Sequence, residues 1–153
     1  MNNELFPYML NRVTGQINQL WLRQLRDRGL TIGRWQLMCV LHRFDGSRVG
    51  TIADLSGTEQ PAISRVIDQM ERDGLVQRRP ALDDSRAVEV WFTAAGRKVY
   101  DDLLPEANAF VKGLTRNVPQ QDIDRVTRVI EGMLTDLQEH EAESKPPALR
   151  RVK

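Results

Sequence analysis

The run Gln60-Pro61-Ala62-Ile63-Ser64-Arg65-Val66-Ile67-Asp68-Gln69-Met70-Glu71-Arg72-Asp73-Gly74-Leu75-Val76-Gln77-Arg78-Arg79 changes period part-way, and that change decides the fold. Its first half is helical. Ile63, Val66, Ile67 and Met70 recur at spacings of three and four, one apolar stripe on a helix that begins near Pro61 and runs to about Arg72. Proline suits the first turn, where its missing N–H has no helical partner. Asp73-Gly74 is a stop signal. Leu75–Arg79 then reads as a short strand, and Val88, Val90 and Phe92 alternate with Glu89 and Trp91 as a second. The polar, turn-rich stretch from Pro80 to Ala87 lies between them, so the pair reads as an antiparallel hairpin with a protruding tip.

Outward from this segment the chain is helical. Phe6, Met9, Leu10, Val13, Ile17, Leu20, Trp21 and Leu25 form one stripe on a long helix ended by Asp27-Arg28-Gly29. Thr31 caps a second helix, deeply buried, with Trp35, Met38 and Leu41 on a stripe that extends toward Phe44 and is widened by Leu37 and Val40. Asp45-Gly46-Ser47 is a turn. Thr51–Ser56 is a short helix ended by Gly57. Thr93 caps a helix carrying Val99, Leu103, Leu104, Ala107, Phe110, Val111 and Leu114, with a kink or break expected at Pro105. Pro119 opens a last helix carrying Ile123, Val126, Ile130, Met133, Leu134 and Leu137. The charged, proline-containing end is expected to be a solvated, disordered tail over 142–153.

The expected class is mainly α with a small β-hairpin wing: a winged helix-turn-helix plus a helical dimerisation region. One domain is expected over 1–141. Within it, 30–96 is the winged lobe, and 1–28 and 97–141 are dimerisation helices. The flanking helices carry more apolar stripe than one small domain can bury, which points to a two-fold dimer.

The 153-residue length fits one domain, and an apolar fraction of 41% is too high for a disordered chain. The longest apolar run, Leu37–Leu41, is far short of the ~20 residues that span a bilayer. No secretory signal is visible at the N-terminus. Cys39 is the sole cysteine, so no internal disulfide can form, and a cytoplasmic location with no membrane partner is the simplest expectation. The net charge is only +1, yet of 22 basic residues four are Lys and the rest Arg, the better bidentate partner of phosphate or guanine.

On the helix around Ser64, the face opposite the stripe presents Gln60, Pro61, Ser64, Arg65 and Asp68. These are an amide, a hydroxyl and a guanidinium of the kind that read base edges, on the half of a second helix that enters a major groove. Spacing is equally compatible with a surface ion pair between Arg65 and Asp68. At the hairpin, Arg78 and Arg79 end the first strand, and Asp83, Asp84, Ser85 and Arg86 form the tip. An arginine there can enter a narrow minor groove, oriented by a neighbouring aspartate. An ordinary charged loop has the same composition.

Residues 51–96 resemble the DNA-binding core of the MarR family: Thr51-Ile-Ala-Asp-Leu-Ser-Gly57, the helix, Asp73-Gly-Leu-Val76, the Asp-x-Arg tip and Thr93-Ala-Ala-Gly96. The Glu59-Gln60-Pro61 opening and the Ile63-to-Leu75 run are similar to its SlyA branch. The resemblance implies a homodimeric transcription factor that binds double-stranded DNA at an inverted-repeat operator. Ser64 and Arg65, supported by Gln60 and Pro61, would read the major groove. Arg86, held by Asp84, would reach the minor groove, with Arg78 a further contact. It also implies a small aromatic or phenolic acid, or its thioester, that releases DNA from a cleft. Tyr8, Arg12, Arg34, Trp35 and Met38 are the residues expected there. The tip departs from the family's arginine-rich pattern, since Asp83, Asp84, Ser85 and Ala87 leave Arg86 alone. Modest affinity with a shallow salt dependence is expected.

No cofactor, metal or catalytic centre is expected: there are two histidines and no nucleophile–base arrangement. Cys39 and His42 share a helix face, but only His140 could add a third nitrogen or sulfur ligand. Two other readings stay open. In one the winged helix is a protein-interaction adaptor that does not bind DNA. In the other Cys39 is a redox sensor.

Overall fold

The computed structural model describes residues 5–84 and 86–144. It divides into two compact units, residues 1–108 and 109–153. The order is α1 (Leu5–Arg26), α2 (Ile32–Arg43), β1 (Ser47–Arg48), α3 (Val49–Ser56), α4 (Gln60–Arg72), β2 (Val76–Pro80), β3 (Val88–Phe92), α5 (Ala94–Leu114) and α6 (Gln120–Ser144). The mainly helical winged helix-turn-helix with its small antiparallel sheet is the expected class.

Local chemistry sets most boundaries. Thr31 Oγ1 accepts from the Arg34 N–H at 3.3 Å and starts α2. Thr93 Oγ1 accepts from the Gly96 N–H at 3.0 Å and starts α5. The core of the first unit gathers the stripes: Leu25, Leu37, Met38, Leu41, Ile52, Ile63, Ile67, Met70, Val76, Val90 and Leu103 are fully buried. Burial of each such side chain is worth roughly 1.5–3 kcal/mol.

The sheet has three strands, not two, in the order β1-β3-β2. Strand β1 pairs antiparallel with β3 through Ser47↔Val90 and Arg48↔Glu89. Two residues have no periodicity to read, so this strand exists only through its partner. Strand β2 starts at Val76 because the Leu75 N–H still closes the helix on the Met70 carbonyl at 2.8 Å. It extends to Pro80, which a strand at the sheet edge tolerates.

The turn before β1 is tightly built. The Asp45 carboxylate accepts from the Phe92 N–H at 2.8 Å and pairs with Arg97. Gly46 has φ +82, and a methyl there would lie 2.3 Å from the Trp91 ring, so only glycine fits both constraints.

Three expectations need correction. Phe44 caps α2 and stands exposed, outside the stripe. Of the kink or break expected at Pro105, the break does not occur: helix α5 is continuous from Ala94 to Leu114. Pro105 has no N–H for the Asp101 carbonyl, and that turn faces water, which can satisfy it. Helix α6 continues to Ser144, so the expected tail is helical over 142–144, while 145–153 lie outside the described residues. In the second unit, Val126, Val129, Ile130, Leu134 and Leu137 are exposed on α6. No described helix is long and apolar enough to cross a membrane.

Candidate nucleic-acid interface

Helix α4 has two faces of opposite character. Ile63, Ile67 and Met70 are buried beneath it. Gln60, Pro61 and Arg65 are exposed on the other side, and Ser64 is half-buried at the margin. Pro61 lies in the first turn. Among the described residues Arg65 makes no ion pair. Asp68, its candidate partner by spacing, pairs with Arg78 at 2.7 Å. The exposed half of α4 therefore offers an amide, a hydroxyl and an uncommitted guanidinium in successive turns.

Arg78 has a different place from the one expected of it. Its guanidinium bonds Glu71 at 2.6 Å and Asp68 at 2.7 Å, and its backbone N–H donates to the other Glu71 oxygen at 2.9 Å. It is a brace between α4 and β2, with its donors turned to the protein. The Arg78 N–H first, and then its guanidinium, hold the Glu71 carboxyl below its ordinary value of 4.5. A carboxylate with a depressed native pKa stabilises the fold above its ordinary value, and that contribution is lost as pH falls through the depressed one. Glu71→Gln is thus expected to lower Tm at pH 7 and to flatten the acid-side decline of Tm below about pH 4.5, measured by circular dichroism melts. An unchanged acid limb would show that the brace is not formed.

The far end of α4 is tied as well. Arg34, in the first turn of α2, pairs with Asp73 at the α4 C-cap at 2.7 Å. Helix α4 is thus fixed at its C-terminal half and bare at its N-terminal half.

At the wing, Asp84 shapes the turn through backbone atoms. Its carboxylate accepts from the Arg86 N–H at 3.0 Å, and its carbonyl from the Ala87 N–H at 2.9 Å. The expected hold of Asp84 on Arg86 is on the backbone, leaving the guanidinium exposed and, among the described residues, without an ion pair. Arg79 lies over the Trp91 ring at 5.2 Å, and Trp91 Nε1 donates to Glu89 at 3.1 Å. One residue absent from the sequence reading, Arg48, joins the wing here through Asp83. Arg48 Nη2 donates to both carboxylate oxygens of Asp83 at 2.7 Å. This holds the Asp83 carboxyl below its ordinary value. No sequence signal links positions 35 residues apart; only the third strand brings Arg48 there.

The residues expected at an effector cleft are not gathered. Trp35 meets Trp21 edge-on at 5.4 Å and stacks on Tyr100 at 5.5 Å. Met38 is fully buried, so it belongs to the core and lines no open surface. Arg34 is engaged by Asp73. Tyr8 and Arg12 are exposed on α1. At ~1.5 Å per residue Tyr8 stands about 20 Å along the helix from Trp21. Cys39 is half-buried, and desolvation pushes its thiol up to about 11, so it is protonated at neutral pH. His42 stacks on Tyr100 at 4.5 Å. Among the described residues no group of three or more His, Cys, Asp or Glu is placed to hold a metal ion.

Residues 30–88 match the family model of the MarR family. The chain is 24% identical over 136 residues to the HTH-type transcriptional repressor IacR of Pseudomonas putida, covering 88% of this chain and 81% of that one. Two solved MarR family transcriptional regulators from Silicibacter pomeroyi share the fold. One has a TM-score of 0.76 at 29% identity over 85% of this chain and 88% of its own. The other has a TM-score of 0.82 at 26% identity over 90% and 92%. Over residues 30–88 this chain is thus similar to the MarR family, and the solved regulators share its fold over most of the chain.

Proposed function

We propose that the chain is a cytoplasmic, homodimeric repressor that reads an inverted-repeat operator. The observation that carries this is the two-faced α4: its apolar side is buried, while Gln60 and Arg65, the latter without an ion pair among the described residues, stand on the outer side with Ser64 at the margin. Such a helix places its N-terminal half in a major groove. Arg86, exposed at the wing and without an ion pair among the described residues, fits the adjacent minor groove. The repressor IacR, 24% identical, is consistent with repression. The resemblance of the Glu59-Gln60-Pro61 opening supports a SlyA-like branch.

A second copy of the chain suits the exposed apolar side chains of α1 (Leu5, Phe6, Met9, Val13, Leu20) and those of α6. A small aromatic or phenolic acid, or its thioester, is the proposed effector. Its support is the pairing of Arg34, beside Trp35, with Asp73 at the end of α4. A carboxylate competing for that arginine would loosen the end of the reading helix.

Gel-shift titration against the DNA upstream of the chain's own gene, with a shuffled duplex as competitor, tests the reading. A specific complex resistant to the competitor is expected. Equal binding to both duplexes, or none, would overturn it in favour of a protein-interaction adaptor.

A further inference from the structure

We infer that Arg48 is a DNA-phosphate contact held in reserve by Asp83, and that the DNA backbone displaces the carboxylate when the complex forms. The inference rests on the DNA-binding reading above. Arg48 is the N-cap residue of α3, and its side chain makes no capping hydrogen bond to that helix. Helix α3 is the first helix of the helix-turn-helix, the one that crosses the phosphate backbone in such complexes. Asp83 lies three positions before Arg86 on the wing. The pair therefore spans the two parts of the lobe that flank α4, on the side that meets backbone rather than bases.

Its chemistry is that of an exchangeable pair. Both oxygens of Asp83 are directed at one Arg48 nitrogen at 2.7 Å. Yet the side chains are 46% and 74% exposed, so the pair is solvated, and pairs of this kind are worth about 1 kcal/mol or less. A phosphate oxygen offers the same guanidinium an equivalent anion. The pair also bears on the chain's near-neutral charge, because a carboxylate masks an arginine at the very place where the lobe meets the duplex. Contact with a phosphate is independent of sequence, so it adds to affinity and salt dependence without adding discrimination.

Three proteins decide it: the wild type, Asp83→Asn and the neutral pair Arg48→Gln/Asp83→Asn. Each is titrated by fluorescence anisotropy against the upstream duplex and a random-sequence duplex over a range of salt. Asp83→Asn is expected to bind both duplexes about two- to fivefold more tightly than wild type, the exchange cost being removed. The neutral pair is expected to bind both more weakly than wild type, with log K against log salt shallower by up to about 0.9, the value for one phosphate. Thermal melts of all three should coincide within a few degrees, since the pair is exposed.

A neutral pair that matches wild type in affinity and slope would show a surface pair that never opens. Asp83→Asn binding more weakly would make Asp83 a positioning residue for the wing. Either result overturns the inference and leaves the DNA-binding reading standing. A wild type that binds no DNA overturns both.

Discussion

Replacing Arg65 with alanine is expected to cost operator affinity about 1–3 kcal/mol, roughly 5- to 150-fold, with no loss of thermal stability. The two halves of this statement come from the same geometry. Arg65 is exposed and, among the described residues, engaged in no ion pair, so its removal leaves no buried carboxylate stranded. Alanine is also a good helix former, so α4 should melt no lower. What is lost is a guanidinium one turn beyond Pro61, on the half of the helix that would enter the groove. If it is bidentate to a guanine, the variant should also accept substitutions at one operator position that wild type rejects. Affinities are read by anisotropy at fixed salt. Arg72→Ala, an exposed arginine at the C-terminal end of the same helix, serves as the charge-matched control. Equal losses for both variants would mean a general charge effect. No loss for Arg65→Ala would remove its reading role.

The sequence was most legible where one element carries its own signal. The stripe of α4, the alternation of β3 and the caps at Thr31 and Thr93 are all contained within a few residues, so period and capping chemistry locate them. Strand β1 was not legible, because two residues become a strand only by pairing with Ser47↔Val90 and Arg48↔Glu89. The same limit applies to the charges. Spacing could place Arg65 and Asp68 on one face, but which cation Asp68 meets depends on where β2 passes. It passes close enough for Arg78 to take both Asp68 and Glu71. Arg78 therefore braces where the sequence suggested contact with DNA, and the Arg48–Asp83 pair had no signal at all. Composition could not distinguish an aromatic lining from an aromatic core. Trp35 and Tyr100 stack on one another, and Met38 is fully enclosed.

Gly96→Ala is expected to lower stability by about 3 kcal/mol or more, the upper end for forcing a methyl group into a packed site. Alanine in a helix interior ordinarily gains about 1 kcal/mol over glycine, so propensity alone predicts the opposite sign. Space decides here. A methyl on Gly96 would lie 1.8 Å from the Leu75 carbonyl oxygen, 2.8 Å from its carbon and 3.0 Å from the Phe92 ring. The obstacle is backbone, so no rotamer change relieves it. That backbone is also committed: the Leu75 N–H donates to Met70 at 2.8 Å, and its carbonyl accepts from the Thr93 N–H at 3.1 Å. Moving Leu75 away from α5 strains the end of α4 and the root of β2 together, so operator affinity should fall with Tm. Gly15→Ala on α1 is the matched comparison, because a methyl there meets nothing within 4 Å. It is expected to raise Tm by a few degrees, while Gly96→Ala lowers it by roughly 10 °C. The opposite signs of one substitution at two helical glycines isolate packing from propensity. A Gly96→Ala protein that melts at or above wild type would mean that α5 does not press against Leu75, and with it would go the fixed seat of α4 and the wing.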